Sequence, residues 1–226
     1  MVAQYKCLHI ILKWSINMKY HKLIENASKP QGFWGKMMIR TMNKEHSSLT
    51  DWALGYLNVE RDNTLLDVGC GGGKTLAKLC NMVGNGKVYG VDYSDLCVQK
   101  SIKMNEKNVL CGKAKISQAS VSNLPFADST FDIVTAVETY YFWQDKLNDL
   151  KEISRVLKSR GKLLLVFEML KSEDNPNKWT AIESTLDIKA VSEEEIKDIL
   201  LRAGYENITT HTKSGTSWLC AIAEKA

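Results

Sequence analysis

Residues Leu65-Leu66-Asp67-Val68-Gly69-Cys70-Gly71-Gly72-Gly73 constrain the fold more than any other stretch of the chain. An apolar run of strand length ends in a glycine-rich turn, and a helical pattern over residues 75–82 follows. Glycine at 69, 71 and 73 permits a tight turn and lets backbone approach a ligand with no Cβ in between. In open α/β sheets such turns lie at the carboxyl ends of the strands, where ligands bind. The spacing separates the ligand classes. A phosphate-binding G-x-x-x-x-G-K-[ST] loop fits Gly73-Lys74-Thr75 but needs a glycine where Val68 stands. A dinucleotide G-x-G-x-x-G loop fits Gly69 and Gly71 but needs a third glycine where Lys74 stands. What remains is G-x-G-x-G preceded by an acid, Asp67.

From residue 63 onward short apolar runs alternate with helical patterns, as βα units and a mostly parallel sheet require. Strands are expected at 64–68, 87–91, 115–119, 131–137 and 162–167. The run Leu163–Phe167 is apolar on both faces, as a strand covered by helices on both sides must be. Helices are expected at 145–157, ended by Gly161, and at 192–203, opened by a Ser192/Glu195 capping box and closed at Gly204. Two further runs, 208–212 and 218–223, have no helix between them and predict an antiparallel hairpin at the sheet edge. The first 60 residues read as helices: a long one carrying Leu8, Ile11, Leu12, Ile16 and Leu23, a break over 26–35 around Pro30, then 36–46 and 50–57. The expected organisation is one domain, with residues 1–60 as a helical cap on a core of 61–226.

The chain has 226 residues, 44% of them hydrophobic and 25% charged, enough to bury a core without staples. Lys+Arg at 30 against Asp+Glu at 26 is too small an excess to argue for nucleic acid. Much of it lies before Arg61, where a basic face touching an acidic substrate or a membrane surface stands beside the plainer reading of a solvated helix face. Cys7, Cys70, Cys80, Cys97, Cys111 and Cys220 form no C-x-x-C pair, and no Cys/His cluster has zinc spacing, so reduced thiols and no metal are expected. No apolar run reaches bilayer length, and the short run at 8–12 is broken by Lys13, so a cytoplasmic location and no transmembrane segment are expected.

Three further stretches accompany the glycine loop. Val88-Tyr89-Gly90-Val91-Asp92 ends a second strand in an acid, about 20 residues past the loop, where a carboxylate can accept from both hydroxyls of a ribose. Leu124-Pro125-Phe126 precedes Phe131-Asp132-Ile133-Val134, and Glu152-Ile153-Ser154-Arg155-Val156-Leu157-Lys158 precedes Gly161. Together, over residues 64–168, these stretches resemble the class I S-adenosylmethionine-dependent methyltransferases. The L-P-F and E-I-x-R-V-L-K features point to the type 11 branch, which includes ubiquinone/menaquinone-type methyltransferases. The resemblance implies a Rossmann-like, doubly wound, seven-stranded sheet with S-adenosylmethionine as cofactor. It implies cofactor contacts from Asp67, Gly69, Cys70, Gly71, Gly73, Asp92, Tyr93, Ser120, Val121, Ala136 and Glu138. Ser120 departs from the family, which often carries an aspartate there to meet adenine; a serine can still donate or accept, and Val121 backbone could serve instead. Arg160-Gly161 replaces the usual Pro-Gly, with the glycine expected to supply the turn.

Methyl transfer from a sulfonium is in-line, and alignment of donor and acceptor can supply about 7–11 kcal/mol; a base is needed only where the acceptor loses a proton. Candidates for the acceptor side are His46, Glu138 and Tyr140, with Glu168 as a weaker one. Each also has a plainer reading: His46 as a structural or surface histidine, Glu138 as a cap or surface acid, and the aromatic cluster Tyr140-Tyr141-Phe142-Trp143 as core. Trp179, beyond a polar stretch, is read as part of a lid. The expected partner is a small-molecule methyl acceptor, with no nucleic acid and with a homodimer left open. Methylation of protein or RNA, cofactor binding without catalysis, and an NAD-dependent oxidoreductase remain the alternatives.

Overall fold

In a computed structural model, which describes residues 27–28, 30–171 and 173–226, seven strands form one sheet. The expected long helix at the start of the chain lies outside the described residues. In chain order the elements are α1 (Gly32–Glu45), α2 (Ser47–Leu54), β1 (Thr64–Val68), α3 (Lys74–Met82), β2 (Lys87–Asp92), α4 (Asp95–Met104), α5 (Glu106–Leu110) and β3 (Ala114–Gln118). They continue with β4 (Phe131–Val137), a 3₁₀ turn at Tyr140–Phe142, α6 (Lys146–Val156), β5 (Leu157–Phe167), α7 (Thr180–Leu186), α8 (Glu193–Arg202), β6 (Tyr205–Thr212) and β7 (Leu219–Lys225).

The strand order is β3-β2-β1-β4-β5-β7-β6. Strands β1 to β5 pair in parallel, and β7 pairs antiparallel with both β5 and β6. The expected hairpin is present, with β7 slotted beside β5 and β6 at the edge. The order reverses between β1 and β4, so the carboxyl ends of those two strands open a crevice.

Strand residues alternate between two apolar layers, as the two-residue period of a strand dictates. Leu66, Val134, Leu163, Leu165 and Phe167 pack on one face; Leu65, Ile133, Leu164 and Val166 pack on the other. Trp179 belongs to the first layer: it is 5% exposed, and its indole N–H donates to the Leu170 carbonyl at 2.8 Å. It is a core anchor, and the lid reading does not hold.

Local signals explain most helix ends. Ser192 and Glu195 form the expected reciprocal capping box on α8. At the other end of the chain α1 and α2 meet at His46, which ends one helix and begins the next at φ −80, ψ 0. Thr50 Oγ1 donates to the His46 carbonyl at 2.7 Å and fixes that joint. Strand β5 begins at Leu157, directly after α6, rather than at 162. The turn geometry there also differs from expectation. The positive φ falls on Arg160 (61°), whereas Gly161 is needed because a Cβ would stand 2.8 Å from the Lys158 carbonyl oxygen.

Two family-like stretches turn out to be one structure. Arg155, on α6, donates to the carbonyls of Leu124 and Phe126 (3.0 and 2.8 Å) and to Glu152 and Asp128. Glu152 in turn accepts from the Leu124 N–H at 2.8 Å. The guanidinium thus ties the L-P-F loop to the helix before β5, a fork geometry only arginine offers.

Candidate active site

The crevice between β1 and β4 holds a cleft that opens to solvent. Its floor is the glycine loop with Asp92, its far wall is Val137 to Thr139 with Phe142, and its roof is α1 and α2 through Ile39, Met42, Asn43, His46 and Thr50.

The glycine loop is shaped by its own backbone. Gly69, Gly71 and Gly73 all take positive φ (70°, 51° and 83°), as the turn requires. The N–H groups of Gly69 and Cys70 donate to the Val91 carbonyl, at 2.8 and 3.0 Å, which clips the loop to β2. At Gly72 the helical roof comes so close that a Cβ would stand 2.3 Å from Asn43 Nδ2 and 2.6 Å from Ile39 Cγ2. With Gly73 at its N-cap, α3 has no side-chain cap, so its first-turn N–H groups and its positive dipole end are left for an anionic group. Lys74 and Thr75, at that end, line the cleft.

Asp92 is 6% exposed and lines the cleft. Its Oδ2 accepts from the Gly71 N–H and its Oδ1 from the Ser94 N–H, both at 2.9 Å. Burial pushes its carboxyl up, and these two bonds oppose the rise. The Cys97 thiol is a third donor to this carboxylate, and with about four lone-pair sites it keeps room for a ligand hydroxyl. Asp67, one step back in β1, is 1% exposed and lies beneath the cleft wall. Thr135 donates to its Oδ1 at 2.8 Å, while Oδ2 has no partner among the described residues. Burial raises it to about 7. Tyr93 lines the cleft and donates to the Ser28 carbonyl.

At the far end the ionisable groups converge. His46 Nε2 lies 3.6 Å from Glu168 Oε2, and Glu138, at φ 57°, accepts from the Glu168 N–H. Tyr141 braces this pair, its hydroxyl accepting from Met169 N–H (3.0 Å) and facing Glu138 Oε1 at 3.5 Å. Burial lowers His46 to about 4, so the imidazole is neutral near pH 7. Burial, and then the charge of Glu168, push Glu138 well above the usual carboxylate range. Glu168 is also raised, chiefly by burial.

Of the residues named from sequence, Gly69, Cys70, Gly71, Asp92, Tyr93, Glu138 and His46 line this cleft, while Asp67, Gly73, Ala136 and Glu168 are not among its lining residues. Tyr140 does not reach it: the ring is 5% exposed and packs on Trp143 and Phe167, because the 3₁₀ turn points it into the core. Of the aromatic cluster only Phe142 lines the cleft. Ser120 is exposed and Val121 half-buried, and neither is among the lining residues. Ser120 Oγ is occupied instead by the Ser122 N–H at 3.2 Å. Asn43, Thr50 and Thr139 line the cleft without any signal in the sequence.

The sequence profile of the family described as "Methyltransferase domain" matches residues 66–165, the span from the glycine loop through β5. Residues 66–165 carry a type 11 methyltransferase domain, and the chain is an S-adenosylmethionine-dependent methyltransferase. The methyltransferase is 26% identical to the "Uncharacterized methyltransferase YdaC" of Bacillus subtilis over 81% of this chain and 95% of that one. It is 26% identical to the "O-methyltransferase resE" of Aspergillus sclerotiorum, over 86% of this chain and 75% of that one. Its fold is that of a SAM-dependent methyltransferase from Aquifex aeolicus, with TM-score 0.67, 22% identity and coverage of 84% and 98% of the two chains. The cleft suits the cofactor of this family: an acid for a diol and an uncapped helix end for a carboxylate. Among the described residues no helix is long and apolar enough to cross a membrane.

Proposed function

We propose that this methyltransferase acts on a small-molecule acceptor, bound at the His46–Glu138–Glu168 end of the cleft under the helical roof. The observation that carries the reading is the closeness of α1 to the glycine loop at Gly72, which roofs one side of the cleft where a flat face for a polymer would be bare. The O-methyltransferase among the relatives supports it. S-adenosylmethionine would supply an activated methyl group, and the chain's own residues would hold and align the two reactants.

In this reading Asp92 takes the ribose hydroxyls, and the first-turn N–H groups of α3 take the carboxylate of the methionine part. Gly69 to Gly73 give the backbone surface between them, with Asp67, Cys70 and Ala136 behind. Ile39, Met42 and Phe142 form the apolar wall that excludes water from the acceptor. The helices over residues 32–54 act as a cap belonging to the same domain as the core. Glu138 and His46 face the acceptor. His46, neutral near pH 7, can accept a hydrogen bond from an acceptor hydroxyl.

The test is to incubate the protein with methyl-labelled S-adenosylmethionine and a cell extract separated into low-mass, protein and RNA fractions. The expected result is label in the low-mass fraction alone. Label in protein or RNA would overturn the small-molecule reading.

A further inference from the structure

We propose that His46 Nε2 and the carboxylates of Glu138 and Glu168 form a binding site for one divalent first-row transition-metal ion at the acceptor end of the cleft. The sequence gives no hint of it, because the three residues come from three separate elements: the α1–α2 joint, the residue after β4 and the residue after β5. The fold brings one ligand atom from each within 4.8 Å of the others.

The surroundings leave these atoms without other work. Among the described residues neither ring nitrogen of His46 makes a hydrogen bond, and its charged neighbours are both acids: Glu168 at 3.6 Å and Glu45, whose charge reaches His46 and Glu168 alike. The Glu168 carboxylate has no hydrogen bond there either, and Glu138 uses only Oε1, toward Tyr141 and the Glu168 N–H. No lysine or arginine among the described residues forms an ion pair with either acid. The cation whose charge reaches Glu168, Lys178, is spent elsewhere: its ammonium donates to Ser217 Oγ and lies over the Trp179 ring at 4.8 Å. Two half-buried carboxylates side by side, with no cation among the described residues in contact with either, repel each other. A divalent cation cancels both charges at once.

The donor set narrows the ion. One neutral imidazole and two carboxylates suit transition-metal ions, whereas calcium takes six to eight oxygens. Metal–ligand distances of about 2.0–2.2 Å imply ligand atoms roughly 3–3.5 Å apart. The His46–Glu168 pair, at 3.6 Å, lies just outside that spacing, and the group as a whole, within 4.8 Å, would close by roughly 1.3 Å at most around an ion. Three protein ligands leave coordination positions open; His46 and Glu138 line the cleft, so an oxygen-bearing acceptor bound there could reach the ion and be held for transfer.

The proposal rests on the reading of this end of the cleft as the acceptor side, but its test needs neither acceptor nor cofactor. Chelator-stripped protein is titrated with Mn²⁺, free ion is followed by electron paramagnetic resonance, and the bound ion is examined for spin-echo modulation from an imidazole nitrogen. The expected result is one Mn²⁺ per chain with imidazole modulation. His46→Gln removes the modulation, and Glu168→Gln weakens binding at least tenfold. No stoichiometric Mn²⁺ on the wild-type chain would overturn the proposal, as would binding unchanged in both variants. S-adenosylhomocysteine binding, measured on the same samples, separates the two readings. Cofactor binding without Mn²⁺ sinks the metal site alone, and Mn²⁺ without cofactor binding sinks the methyltransferase assignment of the cleft.

Discussion

Asp92 shows how one carboxylate can serve both the loop and the ligand. Its two oxygens already hold the N–H groups of Gly71 and Ser94, so it shapes the glycine loop before any cofactor arrives. Asp92→Ala removes both the shaping bonds and the diol acceptor. We expect S-adenosylhomocysteine affinity to fall at least about tenfold, or 1.4 kcal/mol, by titration calorimetry; unchanged affinity would refute the ribose assignment. Gly72→Ala should act through the roof instead. The new methyl group would meet the Asn43 and Ile39 side chains, so these must swing aside or α1 must shift, and both melting temperature and affinity should drop. Equal values in wild type and variant would show that the roof does not bear on the loop. The sequence placed Asp92 at a strand end by pattern alone. It could not announce Asn43 or Thr139, whose roles come from contacts between distant elements.

At the scale of elements, the Arg155 fork explains why two motifs far apart in sequence belong together. Arg155→Met would leave the Leu124 and Phe126 carbonyls and Glu152 without their shared donor. Discounting for partial exposure, we expect a loss of about 2 kcal/mol in urea unfolding; a change within about 0.5 kcal/mol would contradict the account. The Glu152 side of the network sets a pH dependence. Its hydrogen bond from Arg155 holds the carboxyl below its usual value. Its stabilisation is therefore present above the unfolded carboxylate range of about 4 and is lost as pH falls below it. The strands were legible because both faces are apolar and bounded by turns. Helices α4 and α7 were harder to read. The buried side of α4 is Cys97, Val98 and Ser101, small and partly polar, and α7 buries no residue fully. The aromatic run at 140–143 was misread for a related reason: in a three-residue 3₁₀ turn successive side chains point about 120° apart, so proximity in sequence says nothing about which ring meets the cleft.

Over the whole molecule, the cleft gathers acids whose burial the fold must sustain. Asp67 titrates at about 7 in the folded chain and at about 4 when unfolded. A raised carboxyl costs stability once the unfolded state can ionise, so this contribution is unfavourable above about pH 4 and grows until about pH 7. Asp67→Asn, which keeps an acceptor for Thr135, should gain on the wild type as pH rises across that window. A stability difference independent of pH would show that Asp67 is ionised throughout. The overall architecture was readable from the glycine spacing and the βα alternation, and so was the hairpin beyond the parallel strands. The convergence of His46, Glu138 and Glu168 was not, since it is a property of the closed fold. The central claim, that this cleft holds the cofactor of the methyltransferase family, is tested most directly by titrating the purified protein with S-adenosylhomocysteine, NAD and ATP. One molecule of S-adenosylhomocysteine per chain, with no heat from NAD or ATP, is the predicted result; a folded sample that binds NAD or ATP and not S-adenosylhomocysteine would contradict it.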